Sequence, residues 1–233
     1  MERRKFLETC VAISGATGLA ALPAWAEAVP RLYDRARLVD IHGMPLKARA
    51  LVAETNYVFH FPFVGTPCFL LNLGRPVPET AKLRREDGTT YAWGGGVGPA
   101  RAIVAFSAIC AHKLAYPTRD VSFIRYQPQR SATSDARVIH CCADHSVYDP
   151  ASGARVLAGP APQPLAAILL EYDATTDELA ALGTVGAEQF DAFFTKYEFK
   201  LALDHGQGKA RQPVGGSAVV RELAQFCKQT IQC

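Results

Sequence analysis

A marked excess of charge of one sign is missing from this sequence. Its 25 Lys and Arg stand against 22 Asp and Glu, a formal net charge of +3. So small and scattered an excess excludes the basic stripe that nucleic-acid binding requires, and no nucleic-acid partner is expected. Long apolar runs are also scarce. The candidate between Cys10 and Ala26 is interrupted by Gly15 and Gly18, and at about 17 residues it lies at the short limit for a spanning helix. G-x-S-x-G, H-E-x-x-H and C-x-x-C-H do not occur, which removes the nucleophile elbow, the zinc-protease helix and the c-type haem attachment. The glycines at 94 to 96 and 98 lack the spacing and the following helix of a phosphate loop and read as turn residues. There are no repeats and no low-complexity tracts. Nothing points to a substrate-transforming site of the chain's own, so catalytic residues are not assigned.

With 233 residues, 49% hydrophobic and 20% charged, the chain can bury one sizeable core and carry an appendage. The opening MERRKFLETCVAISGATGLAALPAWAEA has paired arginines, a mildly apolar run and an A-x-A-type site. It reads as a twin-arginine export signal over residues 1–26, placing the protein in the periplasm. A retained segment, giving membrane association through the N-terminus, is the alternative. From Arg37 short runs rich in Val, Phe, Tyr and Leu are separated by Gly and Pro (YVFHFPF, CFLLNLG, RAIVAFSAI, ARVIH, AAILLEYD, ELAALGTV), the pattern of an all-β domain over 27–186. From about residue 187 apolar spacing turns to three and four, in EQFDAFFTKYEFKLAL and SAVVRELAQFCKQTIQ. A partly helical extension over 187–233 is expected, with the glycine-containing DHGQGKARQPVGG as a flexible join.

Two strand-end loops carry the chemistry. RAIVAFSAI runs into Cys110-Ala-His112, and ARVIH runs into HCCADHSVYDP. One loop offers Cys-x-His and the other Cys-x-x-His, which is what a [2Fe–2S] centre with two thiolates on one iron and two imidazoles on the other requires. The spacing selects Cys110, His112, Cys142 and His145, with Cys141 as the alternative to Cys142. His140 is a weaker candidate and reads as a strand residue. Cys68 reads as a small buried apolar residue. Cys227 and Cys233 could pair with each other or with Cys68 in an oxidising compartment. His42, His60 and His205 stand alone and read as structural or surface residues.

At roughly residues 90 to 175 the sequence resembles the Rieske family, and within it the small subunit of arsenite oxidase and its relatives. The resemblance rests on GGVGPARAIVAFSAICAHK, on SVYDPASG after the second box, and on GPAP at 159–162. It implies a Rieske fold: an antiparallel β-sandwich with a cluster-binding subdomain of two loops. It also implies hydroxyl partners to the cluster at Ser146 and Tyr148, and a proline-containing covering loop through Gly159 and Pro160. Quinol-oxidising relatives carry a bracing cysteine in each box, where this chain has Ala115 and Ala143. Counted back from SVYD, the family's histidine falls on Asp144 and its cysteine on Cys141, one residue out of step with Cys142 and His145. Between the boxes the chain is longer than the family's usual spacing, and residues 118–136 are expected to form an exposed excursion, with partner docking favoured. The implied role is a non-catalytic electron-transfer subunit. It would connect a large, molybdopterin-type oxidoreductase subunit to a c-type cytochrome or cupredoxin. A quinol-oxidising membrane complex and a structural zinc protein are the other readings.

Overall fold

Which side chains alternate inward sets the architecture, and the computed structural model describes it for residues 28–233. The expected export signal, residues 1–26, lies outside the described residues. In chain order the strands are β1 (Arg31–Val39), β2 (Tyr57–His60), β3 (Pro67–Asn72), β4 (Thr80–Arg84), β5 (Thr90–Trp93) and β6 (Ile103–Ser107). They continue with β7 (Val121–Ser122), β8 (Ile124–Gln127), β9 (Val138–Cys141), β10 (Ser146–Asp149), β11 (Arg155–Ala158), β12 (Ala167–Asp173) and β13 (Glu178–Val185). After them come helices α1 (Phe190–Lys196) and α2 (Glu198–His205), strands β14 (Ser217–Val219) and β15 (Arg221–Glu222), helix α3 (Leu223–Phe226) and strand β16 (Gln229–Thr230). The all-β expectation holds.

Eight strands form one sheet in the order β14-β1-β13-β12-β6-β3-β2-β15, antiparallel except where β14 joins β1. Strands β3 and β6 read as unbroken apolar runs because both of their faces are covered. Leu70 and Ala105 pack on one face with Leu38, Phe59, Ile168 and Ala181. Their neighbours Phe69, Leu71, Val104 and Phe106 pack on the other with Trp93, Tyr126, Ile139 and Tyr148. This second core joins the large sheet to a four-stranded sheet, β11-β10-β9-β8, whose β9–β10 connection carries half of the site.

The segment after residue 187 is built into the domain. Phe190, Phe193, Phe194 and Leu201 of α1 and α2 pack with Ile109 and Tyr116, which flank Cys110, and the rings of Tyr116 and Phe193 meet edge-on at 4.8 Å. The expected flexible join is held by backbone bonds, Gly65 N to Ala210 O at 2.9 Å and Val214 N to Pro62 O at 2.9 Å. The second run, SAVVRELAQFCKQTIQ, departs from helical expectation. Leu223–Phe226 is its helical part, while β14, β15 and β16 pair with β1, β2 and β7. Apolar spacing in so short a run fits either period, and the open strand edges settle it. The excursion 118–136 is likewise partly structural, since β7 pairs with β16 and β8 with β9. Among the described residues no helix is long and apolar enough to cross a membrane.

Candidate metal centre

The first loop leaves β6 and closes on itself through Leu114 N to Cys110 O at 3.0 Å and Cys110 N to Ala115 O at 2.8 Å. This turn buries Cys110 completely while leaving the His112 side chain 36% exposed. Its outer side is pinned by the C-terminal segment. Gln189 donates to the Ala111 carbonyl at 2.9 Å, and the Lys196 ammonium to that of Lys113 at 2.6 Å.

The second loop is set by strand register. Cys141 pairs with Ser146 across β9 and β10, so four residues, 142 to 145, make the connection. His145 N donates to Cys141 O at 2.7 Å, and His145 takes φ +60°. Side chains alternate along β9. Ile139 and Cys141 enter the core that holds Cys110 and Tyr148, whereas His140 bonds to Ser134 Oγ at 2.9 Å.

Cys142 is joined to Cys233 by a disulfide with an S–S distance of 2.09 Å. The expectation that Cys142 is the second iron ligand is therefore corrected: a sulfur bonded to sulfur offers no thiolate. Of the pairings the sequence leaves open, neither Cys227–Cys233 nor a bond to Cys68 forms. Cys227 is free and buried, donating to Thr118 O at 2.8 Å, and Cys68 is free and buried in the core, as expected.

What the two loops bring together is Cys110, His112, Cys141 and Asp144. Donor atoms of Cys110, Cys141 and Asp144 all lie within 4.8 Å of one another. Asp144 Oδ2 is 3.2 Å from Cys110 Sγ and 3.1 Å from His112 Nδ1, and Oδ1 accepts from Ser146 N at 3.0 Å. The Asp144 side chain is 2% exposed. His145, expected in this group, lies outside it. Its ring sits 5.8 Å from that of His140, and it clusters with His140 and Cys233. The left-handed backbone at residue 145 carries the imidazole away from the thiols. The register counted back from SVYD was the signal for Cys141 and Asp144; Cys-x-x-His spacing alone selects the wrong pair.

The electrostatics follow from contact and burial. The Cys141 thiol bonds to Cys110 and holds its pKa below the usual thiol value, against the effect of burial and with help from the Tyr148 hydroxyl. The same bond, with burial, drives the Cys141 thiol upward. For Asp144 burial works to raise the carboxyl, but the Ser146 amide and the two thiols outweigh it and the net shift is downward. Tyr148 Oη lies 3.3 Å from Cys110 Sγ and accepts from Ala111 N at 3.1 Å. Ser146 Oγ, by contrast, is buried with no partner. Above it passes the loop that follows β11. At Gly159, φ +86°, an added Cβ would lie 2.6 Å from Ser146 Cα, and Pro160 stands exposed beside it. Two thiols, an imidazole and a carboxylate on converging loops form a donor set suited to iron or zinc.

No protein-family model matches the chain. Among solved structures, it is similar to the soluble domain of the Rieske protein II (soxF) from Sulfolobus acidocaldarius. The identity is 27%, the match covers 65% of this chain and 78% of that one, and the TM-score is 0.47.

Proposed function

We propose that the chain is a one-electron carrier of the Rieske type, with a [2Fe–2S] cluster held between loops 110–115 and 141–146. The observation that carries this reading is Ser146 Oγ, a buried hydroxyl with no partner beside a buried two-thiol group. Leaving such a hydroxyl unsatisfied costs about 1–3 kcal/mol, and a bridging sulfide would supply its acceptor. Tyr148 already lies within bonding distance of Cys110 Sγ. A cluster bound there supplies reversible uptake of a single electron.

The chain's own residues divide the remaining work. Cys110 and Cys141, both fully buried, would hold the inner iron as thiolates. His112 would hold the outer iron and is the exposed edge of the site. It borders an open cleft of about 940 Å³, together with Leu114, Phe63, Pro162 and Phe190. That cleft is where a redox partner would approach. With the cluster bound, Tyr148 and Ser146 would donate hydrogen bonds to sulfur, which would favour the more negative reduced state and raise the potential.

The arsenite-oxidase-like setting remains the finer part of the proposal: export by the twin-arginine route, a molybdopterin-containing large subunit as electron source, and a periplasmic c-type cytochrome or cupredoxin as acceptor. Its support is the sequence resemblance and the residues at the bracing positions, Ala115 and Ala143. The same absence weighs against a quinol-oxidising complex, since the cysteine beside the second box is tied to Cys233. Pull-down of the tagged full chain from its native periplasm tests this setting. Co-purification of a molybdopterin subunit supports it, and recovery with quinol-oxidising membrane subunits overturns it.

A second reading, one tetrahedral zinc on the same side chains, is favoured by the short distances among Cys110, His112 and Asp144. Absorbance and metal analysis separate the two. The Rieske reading expects a reddish-brown protein with iron and acid-labile sulfide in equal amounts and a spin signal on reduction. A colourless, zinc-containing protein would sink it.

A further inference from the structure

Resting on that reading, we infer that the fourth ligand of the cluster is the carboxylate of Asp144, so that the outer iron is bound by one imidazole and one carboxylate. The pair of imidazoles expected from the spacing does not form. Three independent observations carry the assignment. First, Asp144 is 2% exposed, and its Oδ2 lies within about 3 Å of donors from the opposite loop, Cys110 Sγ and His112 Nδ1. Second, its other oxygen is already fixed by the Ser146 amide at 3.0 Å, the outer hydrogen bond that orients a ligating carboxylate. Third, His145, the imidazole that sequence spacing nominates, is turned out by its left-handed backbone and lies beside His140 and Cys233. The backbone that holds it there is fixed by the 2.7 Å turn bond to Cys141 O and by the Cys141–Ser146 pairing.

The chemistry is consistent. A carboxylate is a hard anionic donor suited to ferric iron. Two thiolates and one carboxylate bring three negative charges to the cluster, where two thiolates and two neutral imidazoles bring two. Because cluster potential falls as net negative charge rises, this centre should be a weaker oxidant than a bis-imidazole one in the same surroundings. The sequence thus encodes a Rieske-like frame with its potential lowered at the outer iron.

The full-length protein, purified with its cluster and reduced, tests this by pulsed electron paramagnetic resonance, which counts the imidazole nitrogens coupled to the spin. One coupled imidazole is expected in the wild type. His145→Ala should keep the visible bands, the iron content and that single coupling. Asp144→His should keep iron, add a second coupled imidazole and shift the midpoint potential upward. Two coupled imidazoles in the wild type, with loss of one in His145→Ala, would overturn the carboxylate assignment while leaving the Rieske reading intact. A wild type without iron or visible bands would overturn that reading and this assignment together.

Discussion

Ser146 and Tyr148 are two hydroxyls on one strand that differ in their bonding. Tyr148 already bonds to Cys110 Sγ and to the Ala111 amide, whereas Ser146 Oγ has no partner. Removing them should therefore separate. Ser146→Ala is expected to stabilise the cluster-free protein by about 1 kcal/mol, because it removes a buried hydroxyl that has no partner and no hydrogen bond is lost. Tyr148→Phe should destabilise it by about 1 kcal/mol, as read by denaturant unfolding. Both should lower the midpoint potential of the loaded protein; a bond that strengthens by about 1.4 kcal/mol on reduction corresponds to ~59 mV for one electron. On β2, His60 has its pKa pushed down to about 4 by burial, and then by its neighbours His205, Arg221 and Arg119. Its folded value lies below its ordinary 6.5, so between those limits the unfolded chain binds a proton that the folded chain does not. Stability is full above pH 6.5 and falls as pH drops toward 4, by roughly 3 kcal/mol. His60→Gln should flatten most of that slope in unfolding curves taken across the range, the rest belonging to His205, which burial also pushes down.

At the scale of elements, the β9–β10 hairpin decides the site. Its four-residue connection puts His145 at φ +60°, where a residue with a Cβ is strained by roughly 1–2 kcal/mol. His145→Gly should relieve part of this, raising stability by about 0.5–1 kcal/mol after glycine's added chain entropy, with colour and iron content retained; thermal unfolding and absorbance check the two parts. The same hairpin shows what was legible in the sequence. Strand ends followed by Cys-x-His and by a second Cys and His pair are readable from apolar runs and turn residues, and the structure brings Cys110 and His112 of the first loop beside Asp144 of the second. The choice between adjacent cysteines was not a matter of local spacing. Alternation along β9, anchored by the Cys141–Ser146 pairing, turns one sulfur inward and the next outward. The later half of the C-terminal segment departs from helical expectation for a related reason. Val219, Val220 and Leu223 fit a helical period as well as a strand, and it is the edges of β1, β2 and β7, distant in sequence, that recruit them.

At the scale of the whole molecule, the segment past residue 187 acts as a strap. Its helices brace the first loop, its strands extend the large sheet, and Cys233 reaches the second loop across a sequence separation of 91. Closing so long a loop constrains the unfolded chain, so Cys233→Ser is expected to cost about 2–4 kcal/mol in oxidising buffer. On the proposed ligand set, which uses Cys141 and leaves Cys142 in the disulfide, the visible bands should remain; denaturant midpoints and absorbance give the two readouts. There is a consequence for the timescale on which the site opens. The amides of Lys228, Gln229 and Ile231 donate to Arg119, Asp120 and Ser122, and the tail beyond them is bonded to the loop that carries Cys141 and Asp144. Tail and loop then form one cooperative unit of local unfolding. Deuterium uptake at those three amides should be as slow as at Cys142 and His145, and reduction of the disulfide should quicken the tail ahead of the loop, turning a shared gate into two independent ones.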